Sequence, residues 1–186
     1  MKAIIVGGVA GGASAAARIR RLDEQAEIIV FERSGYVSYA NCGLPYYIGG
    51  VITDPAELTL QTPESFFSRF RIDVRVRHEV TDVDTAAKTV TVKKLDSGEV
   101  FTERYDKLLL SPGAKPTLPP LAEVEGERIF TLRTVEDTFR IREFVEKVYV
   151  YKAEKVDGHR VQRIRIVYNC IGEFTLPATA TNEKTA

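Results

Sequence analysis

Cysteine and histidine are scarce in this chain, two of each in 186 residues: Cys42 and Cys170, His78 and His159. The cysteines form no CxxC or CxxxxC spacing and no histidine cluster stands near them, which argues against a structural zinc site and an internal dithiol pair. Neither histidine has a partner at catalytic spacing, so both read as surface residues. Net charge is missing as well. The 26 Lys and Arg balance 26 Asp and Glu, and no long-range field draws the chain to nucleic acid or to an anionic membrane. No apolar run approaches the ~20 residues that span a bilayer, and the chain opens on KAIIV without a charged leader region or cleavage site. The expectation is a cytoplasmic protein with no membrane segment and no metal, about one domain in size and able to bury roughly 70% of its unfolded surface.

What is present is concentrated in the first 32 residues. Lys2 to Val6 is a short apolar run suited to a buried parallel strand. Gly7, Gly8, Gly11 and Gly12 follow, then an Ala-rich helix from about Ala13 to Leu22, and Ile28 to Glu32 reads as the next strand. Glycine is needed where the backbone turns tightly and approaches a pyrophosphate, and a helix N-terminus offers that phosphate free amides and a positive dipole end. Glu32 ends the second strand 20 residues beyond Gly12, where a ribose hydroxyl needs an acceptor. The pattern departs from strict GxGxxG because Val9 occupies the middle position counted from Gly7. A glycine turn alone equally suits a plain strand-to-helix connection. Strand, turn, helix, strand and terminal acid together favour a dinucleotide, without separating FAD from NAD.

Cys42 lies ten positions after Glu32, in SYANCGLPYYIGG. The LPYYI segment reads as a short helix with Cys42 at or just before its N-terminus. Free amides and the helix dipole there would stabilise a thiolate against a reference pKa of about 8.5. Two readings stand: an activated redox thiol, or a small buried hydrophobe.

The segments GGVAGGASAAARIRRLDEQAEIIVFER, SYANCGLPYYIGG and YDKLLLSPGAKP, in this order and spacing, resemble the single-cysteine branch of the FAD-dependent pyridine nucleotide-disulfide oxidoreductases, nearest to coenzyme A-disulfide reductases. The resemblance runs from Met1 to about Lys147. It implies FAD, held by Gly7, Gly8, Ala10, Gly11, Glu32, Arg33, Val80, Ser111, Gly113 and Arg133, with the pyrophosphate over the glycine turn and the adenosine ribose on Glu32. It also implies Cys42 as the catalytic redox nucleophile, forming a mixed disulfide with coenzyme A. Ser14, Arg18, Arg21, Ser38 and Asn41 match the residues that meet the thiol substrate. Arg18 and Arg21 fall three apart on one helical face, as two cations meeting one phosphate group require, although a solvated basic face has the same spacing. Peroxidase relatives carry a histidine where this chain has Ala10, so disulfide, persulfide or polysulfide substrates are favoured over peroxide.

The middle of the chain fits the same architecture. Thr62-Pro63-Glu64 opens a helix through Arg69, with Thr62 as N-cap and Pro63 at the first helical position. Ile72–Val76, Glu79–Asp84, Thr89–Val92, Val100–Arg104 and Lys107–Leu110 read as strands, with Asp96-Ser97-Gly98 a turn. Thr134-Val135-Glu136-Asp137 caps a helix bearing Val135, Phe139, Phe144 and Val145.

Near Lys147 the expected pattern stops. The resembled family continues with a second glycine-rich turn for NAD(P)H, and residues 147–186 contain none. Val148–Tyr151 and Ile164–Tyr168 alternate instead and, joined across Asp157-Gly158, predict a β-hairpin with a basic outer face, Cys170 being an ordinary hairpin residue. KAEKVDGHRVQRIRIVYNCIGEF resembles the extreme C-terminal region of large serine recombinases, which is not their catalytic part. The overall expectation is an α/β chain: an incomplete Rossmann-like FAD-binding domain at 1–146, built of a parallel sheet with helices plus an antiparallel meander, then a fused recombinase-like hairpin tail at 147–186 with a disordered end. The hairpin is expected to cover an open edge of the parallel sheet.

Three functions follow from that expectation. The first is a disulfide-reducing flavoprotein acting through Cys42 on a small disulfide or coenzyme A substrate, with weak or absent NAD(P)H turnover because the nicotinamide domain and the family's homodimerisation domain are missing. The second is a noncatalytic flavin- or nucleotide-binding fragment. The third is a DNA-associated recombinase remnant, disfavoured by the small charge excess.

Overall fold

The computed structural model describes residues 1–117, 130–156, 159–169 and 172–173. Strand β1 (Lys2–Val6) leads into helix α1 (Ala10–Leu22), and β2 (Glu27–Glu32) follows. The helix starts three residues earlier than its alanine run suggests, taking Gly11 and Gly12 into its first turn. Alanine has the best helix propensity, and Arg20 and Arg21 sit in the last turn, where the helix dipole favours cations. Arg20 also closes the helix onto the rest of the fold, donating to the Phe70, Glu24 and Arg71 carbonyls at 2.7–2.8 Å.

After β2 the chain passes through a 3₁₀ turn, Asn41–Gly43, into the short helix α2 (Leu44–Ile48) and then α3 (Pro63–Phe70). Thr62 caps α3 as its sequence indicates, in a reciprocal bond with Ser65. Strands β3 (Asp73–Val76), β4 (His78–Asp84), β5 (Thr89–Lys94), β6 (Val100–Arg104) and β7 (Lys107–Leu110) complete the first part, and α4 (Val135–Phe144) follows.

The parallel sheet runs β3-β2-β1-β7, and β4-β5-β6 form a separate antiparallel meander. Side-chain alternation divides β1 and β2 between two layers. Ile5, Ile28 and Val30 pack with Ala16, Phe66 and Ile72 on the helical side, while Ile4, Ile29 and Phe31 pack with Val90 and Val92 of the meander. A strand covered on both faces is apolar throughout, which is why residues 28–31 of β2 are all buried hydrophobics. A third cluster of Tyr39, Leu44, Leu58 and Val135 fastens the Cys42 region to α4.

Strand β8 (Val145–Val150) follows α4 without a loop, so Val145, expected on the helix, is instead the first strand residue. Asn169 enforces the break: its side-chain nitrogen donates to the Arg142 and Glu143 carbonyls at 3.1 Å and supplies the partner that another helical turn would have given. Strands β9 (Glu154–Val156) and β10 (His159–Val161) pair antiparallel, and β8 pairs antiparallel with β11 (Ile164–Tyr168), giving the expected hairpin. Its Asp157-Gly158 turn and Cys170 lie outside the described residues. One face carries Lys147, Tyr149 and Arg165, with both cations over the Tyr149 ring.

The hairpin does not cover the parallel sheet's edge. With β12 (Gly172–Glu173) it forms its own three-stranded sheet, because Arg142 ties the first β8 carbonyls, Val145 and Glu146, to the Ile48 carbonyl at the end of α2. His78 is also not a surface residue. It is half-buried, stacked on Phe31 with ring centroids 6.1 Å apart, and its Nδ1 lies 2.7 Å from the Val76 carbonyl.

Candidate active site

The glycine turn is built by backbone packed on backbone. Gly7 takes φ +94°, and a Cβ there would stand 2.1 Å from the Ser111 carbonyl oxygen; a Cβ on Gly12 would stand 1.7 Å from the Gly7 carbonyl oxygen. No side chain caps the N-terminus of α1, whose first amides have no intrahelical partners. Those residues open onto a cleft of about 530 Å³ lined by Ala10, Gly11, Glu32, Asn41, Ser111, Gly113 and Arg133, among others. A smaller slot of about 120 Å³, bounded by Gly7, Phe31, His78 and Val80, shares Glu32, Arg33 and Pro112 with it.

Glu32 joins the two spaces. It is 8% exposed; its Oε2 accepts the Gly8 N–H at 2.7 Å and its Oε1 the Ser34 N–H at 2.8 Å. Each oxygen retains room for a further donor. The Gly8 amide is therefore occupied by Glu32, and Gly8 serves the shape of the turn. Arg33 is exposed, with Nη1 3.9 Å from Glu79 Oε1.

Cys42 lies in the 3₁₀ turn immediately ahead of α2 and is exposed, which removes the buried-hydrophobe reading. Its neighbour Asn41 lines the cleft and is held by Arg133, which also stands 3.3 Å from the Cβ position of Gly113, a residue at φ +72°. The Cys42 turn, the Ser111–Gly113 loop and the approach to α4 thus meet at one guanidinium.

The residues matched to a thiol substrate divide. Asn41 is in the cleft, whereas Ser14, Arg18 and Arg21 form an exposed stripe on the outer side of α1 and do not line it. Ser38, at φ +49°, donates its N–H to the Gly8 carbonyl at 3.0 Å and accepts from Leu60 N–H at 2.9 Å, pinning the loop to the glycine turn.

The sequence reading missed Ser34, Tyr39, Arg77, Thr134 and Glu136, which also line the cleft. Thr134 and Glu136 were visible only as a helix-cap signature. Burial, and next the Glu32 carboxylate, push the Tyr39 hydroxyl above its ordinary pKa of 10.0. Among the described residues no three His, Cys, Asp or Glu cluster as metal ligands, and no helix is long and apolar enough to cross a membrane.

An uncapped helix start, a glycine turn and a carboxylate at the end of the next parallel strand define a Rossmann-like dinucleotide-binding unit. The sequence profile of the family described as pyridine nucleotide-disulphide oxidoreductase matches residues 1–156, and the chain belongs to that family. The match passes Lys147, where the sequence suggested a change. Coenzyme A disulfide reductase of Staphylococcus aureus (strain JH9) is 44% identical over 156 residues, covering 84% of this chain and 34% of the relative. The structure of reduced Bacillus anthracis CoADR-RHD superposes with a TM-score of 0.71 at 53% identity, covering 76% of this chain and 26% of that one. An NAD-dependent persulfide reductase from A. fulgidus gives 0.71 at 35% identity, covering 76% and 27%. The chain thus spans about a third of the curated relative's length.

Proposed function

We propose that the chain binds FAD in the cleft and presents Cys42 beside it as a nucleophile toward a small disulfide or persulfide of the coenzyme A type. The observation that carries this reading is the meeting of the first residues of α1, Glu32 and Asn41, the residue before Cys42, around one opening. The residues fit the cofactor: amides of α1 for the pyrophosphate, Glu32 for the ribose and the Val80 slot for a flat base. When bound, the flavin supplies two-electron transfer from a reduced nicotinamide.

The protein's own contribution is positional. Arg133 and Asn41 fix the turn that carries Cys42, and exposure of the sulfur lets a disulfide approach it. Attack by the thiolate on one sulfur of the disulfide forms a mixed disulfide and releases the other half as a thiolate. Ala10 places no acid-base side chain at the mouth of α1, which favours sulfur substrates over peroxide. The rest of the reductive cycle belongs to full-length relatives, with NAD(P)H and a dimer. The fused, recombinase-like tail is read as having no part in the chemistry, and the protein as cytoplasmic.

Intact-mass measurement after incubation with coenzyme A disulfide tests the reading. An adduct of one coenzyme A on the FAD-loaded chain, mapped to the Cys42 peptide and absent from that position in Cys42→Ser, is expected. A chain that holds FAD and forms no adduct is instead a noncatalytic flavin-binding unit. Salt-sensitive DNA retention lost on deleting residues after Lys147 would mark the tail as a nucleic-acid contact.

A further inference from the structure

Glu136 carries an atom that the rest of the molecule leaves unanswered. Its Oε1 accepts the Gly35 N–H at 2.7 Å, whereas Oε2 is sealed from solvent and accepts nothing. A carboxylate oxygen deprived of both water and a donor weighs against the folded state. Glu136 also lines the cleft, so a ligand hydroxyl that moves the side chain aside as it enters is the natural source of the missing donor.

The chemistry of that donor is restricted. A pyrophosphate has no proton to give at neutral pH and would meet a like charge, while Arg33, Arg77 and Arg133 in the same cleft suit it better. A hydroxyl remains. Glu32 and Glu136 bind consecutive amides of one loop, Ser34 and Gly35, and both act electrostatically on Tyr39. Both carboxylates line the cleft, and two acceptors there match two neighbouring hydroxyls.

Resting on the nucleotide reading of the cleft, we propose that Glu136 is a second sugar-binding residue, whose Oε2 accepts one hydroxyl of the adenosine ribose while Glu32 accepts the other.

Glu136→Gln keeps an oxygen for the Gly35 N–H and turns an amide nitrogen toward the cleft. Wild type and variant are titrated calorimetrically with FAD, ADP, 2′-deoxy-ADP and 3′-deoxy-ADP, and the unliganded proteins are melted to check the fold. The variant is expected to melt no lower than wild type and to bind FAD and ADP about tenfold more weakly, as loss of a charge-assisted bond implies. That penalty is expected to vanish for the analogue lacking the hydroxyl Glu136 serves. Equal affinities in the two proteins overturn this inference and leave the FAD reading standing. So does a penalty of the same size for ADP and both analogues. Wild type alone gives a check that does not depend on the variant's folding: both deoxy analogues must bind more weakly than ADP, and if only one does, a single acceptor suffices and the inference fails. Wild type that binds none of the four overturns the nucleotide cleft itself.

Discussion

The side-chain nitrogen of Asn41 donates to the Arg133 carbonyl at 3.2 Å, and its oxygen accepts from Arg133 Nη1 at 3.0 Å, with the amide oriented to satisfy both groups. The residue before Cys42 is thereby bonded to the segment that precedes α4. If this pair sets the cleft wall, Asn41→Ala and Arg133→Ala should each weaken FAD binding, and the double variant should lose less than the sum by about 0.5–3 kcal/mol. Strict additivity in FAD titrations would show that the two residues act separately.

Glycine substitutions should separate the turn from the surface. Alanine at Gly12 would push a Cβ to within 1.7 Å of a backbone oxygen, whereas Gly98, at φ +75°, has nothing within 4 Å. Gly12→Ala is expected to destabilise by about 3 kcal/mol or more because backbone cannot yield as a flexible side chain would. Gly98→Ala carries only backbone strain of about 1 kcal/mol. Urea unfolding midpoints compare the two, and similar losses would contradict the packing described.

Much of this was legible beforehand. The first strand, the capped α3 and the turn glycines follow from local chemistry, since a missing Cβ, an N-cap hydroxyl and an apolar run act within a few residues. What sequence alone did not reveal depends on distant packing. Val145 leaves the helix because β11 pairs with it and Asn169 occupies the last carbonyls. His78 is half-buried because Phe31 of β2 lies against it. Glu136 looked like part of a helix cap because nothing nearby in the chain shows that its carboxylate reaches Gly35 and the cleft. Arg18 and Arg21, correctly placed on one helical face, lie outside the cleft because that face is the outer one.

The alkaline limit of stability should involve Lys2. Its Nζ lies 2.8 Å from both Glu103 and Glu27, and hydrogen bonds to Glu103 first and Glu27 second raise its pKa above 10.5. A raised pKa in the folded state means that the contribution is complete below 10.5 and is lost as pH rises through the folded value. Tyr39, also raised, adds a loss of the same sign. Melting temperature should therefore fall as pH is taken above about 10.5, and Lys2→Met should lower it at neutral pH while flattening that fall. An unchanged alkaline slope in Lys2→Met would remove Lys2 from the account.

Cys42 should be dispensable for cofactor capture, because the cleft is formed by other side chains. Cys42→Ser is expected to hold FAD within about threefold of wild type, a difference of less than 1 kcal/mol, while losing the maleimide label at position 42, read by peptide mapping because Cys170 remains. Loss of FAD together with the thiol would place the sulfur in the cofactor contact itself.

Flavin content of the purified chain tests the central claim most directly. After incubation with FAD and gel filtration, wild type and Cys42→Ser should each retain close to one flavin per chain, and Glu32→Leu should retain little. A colourless wild-type protein that releases all added FAD would contradict the account.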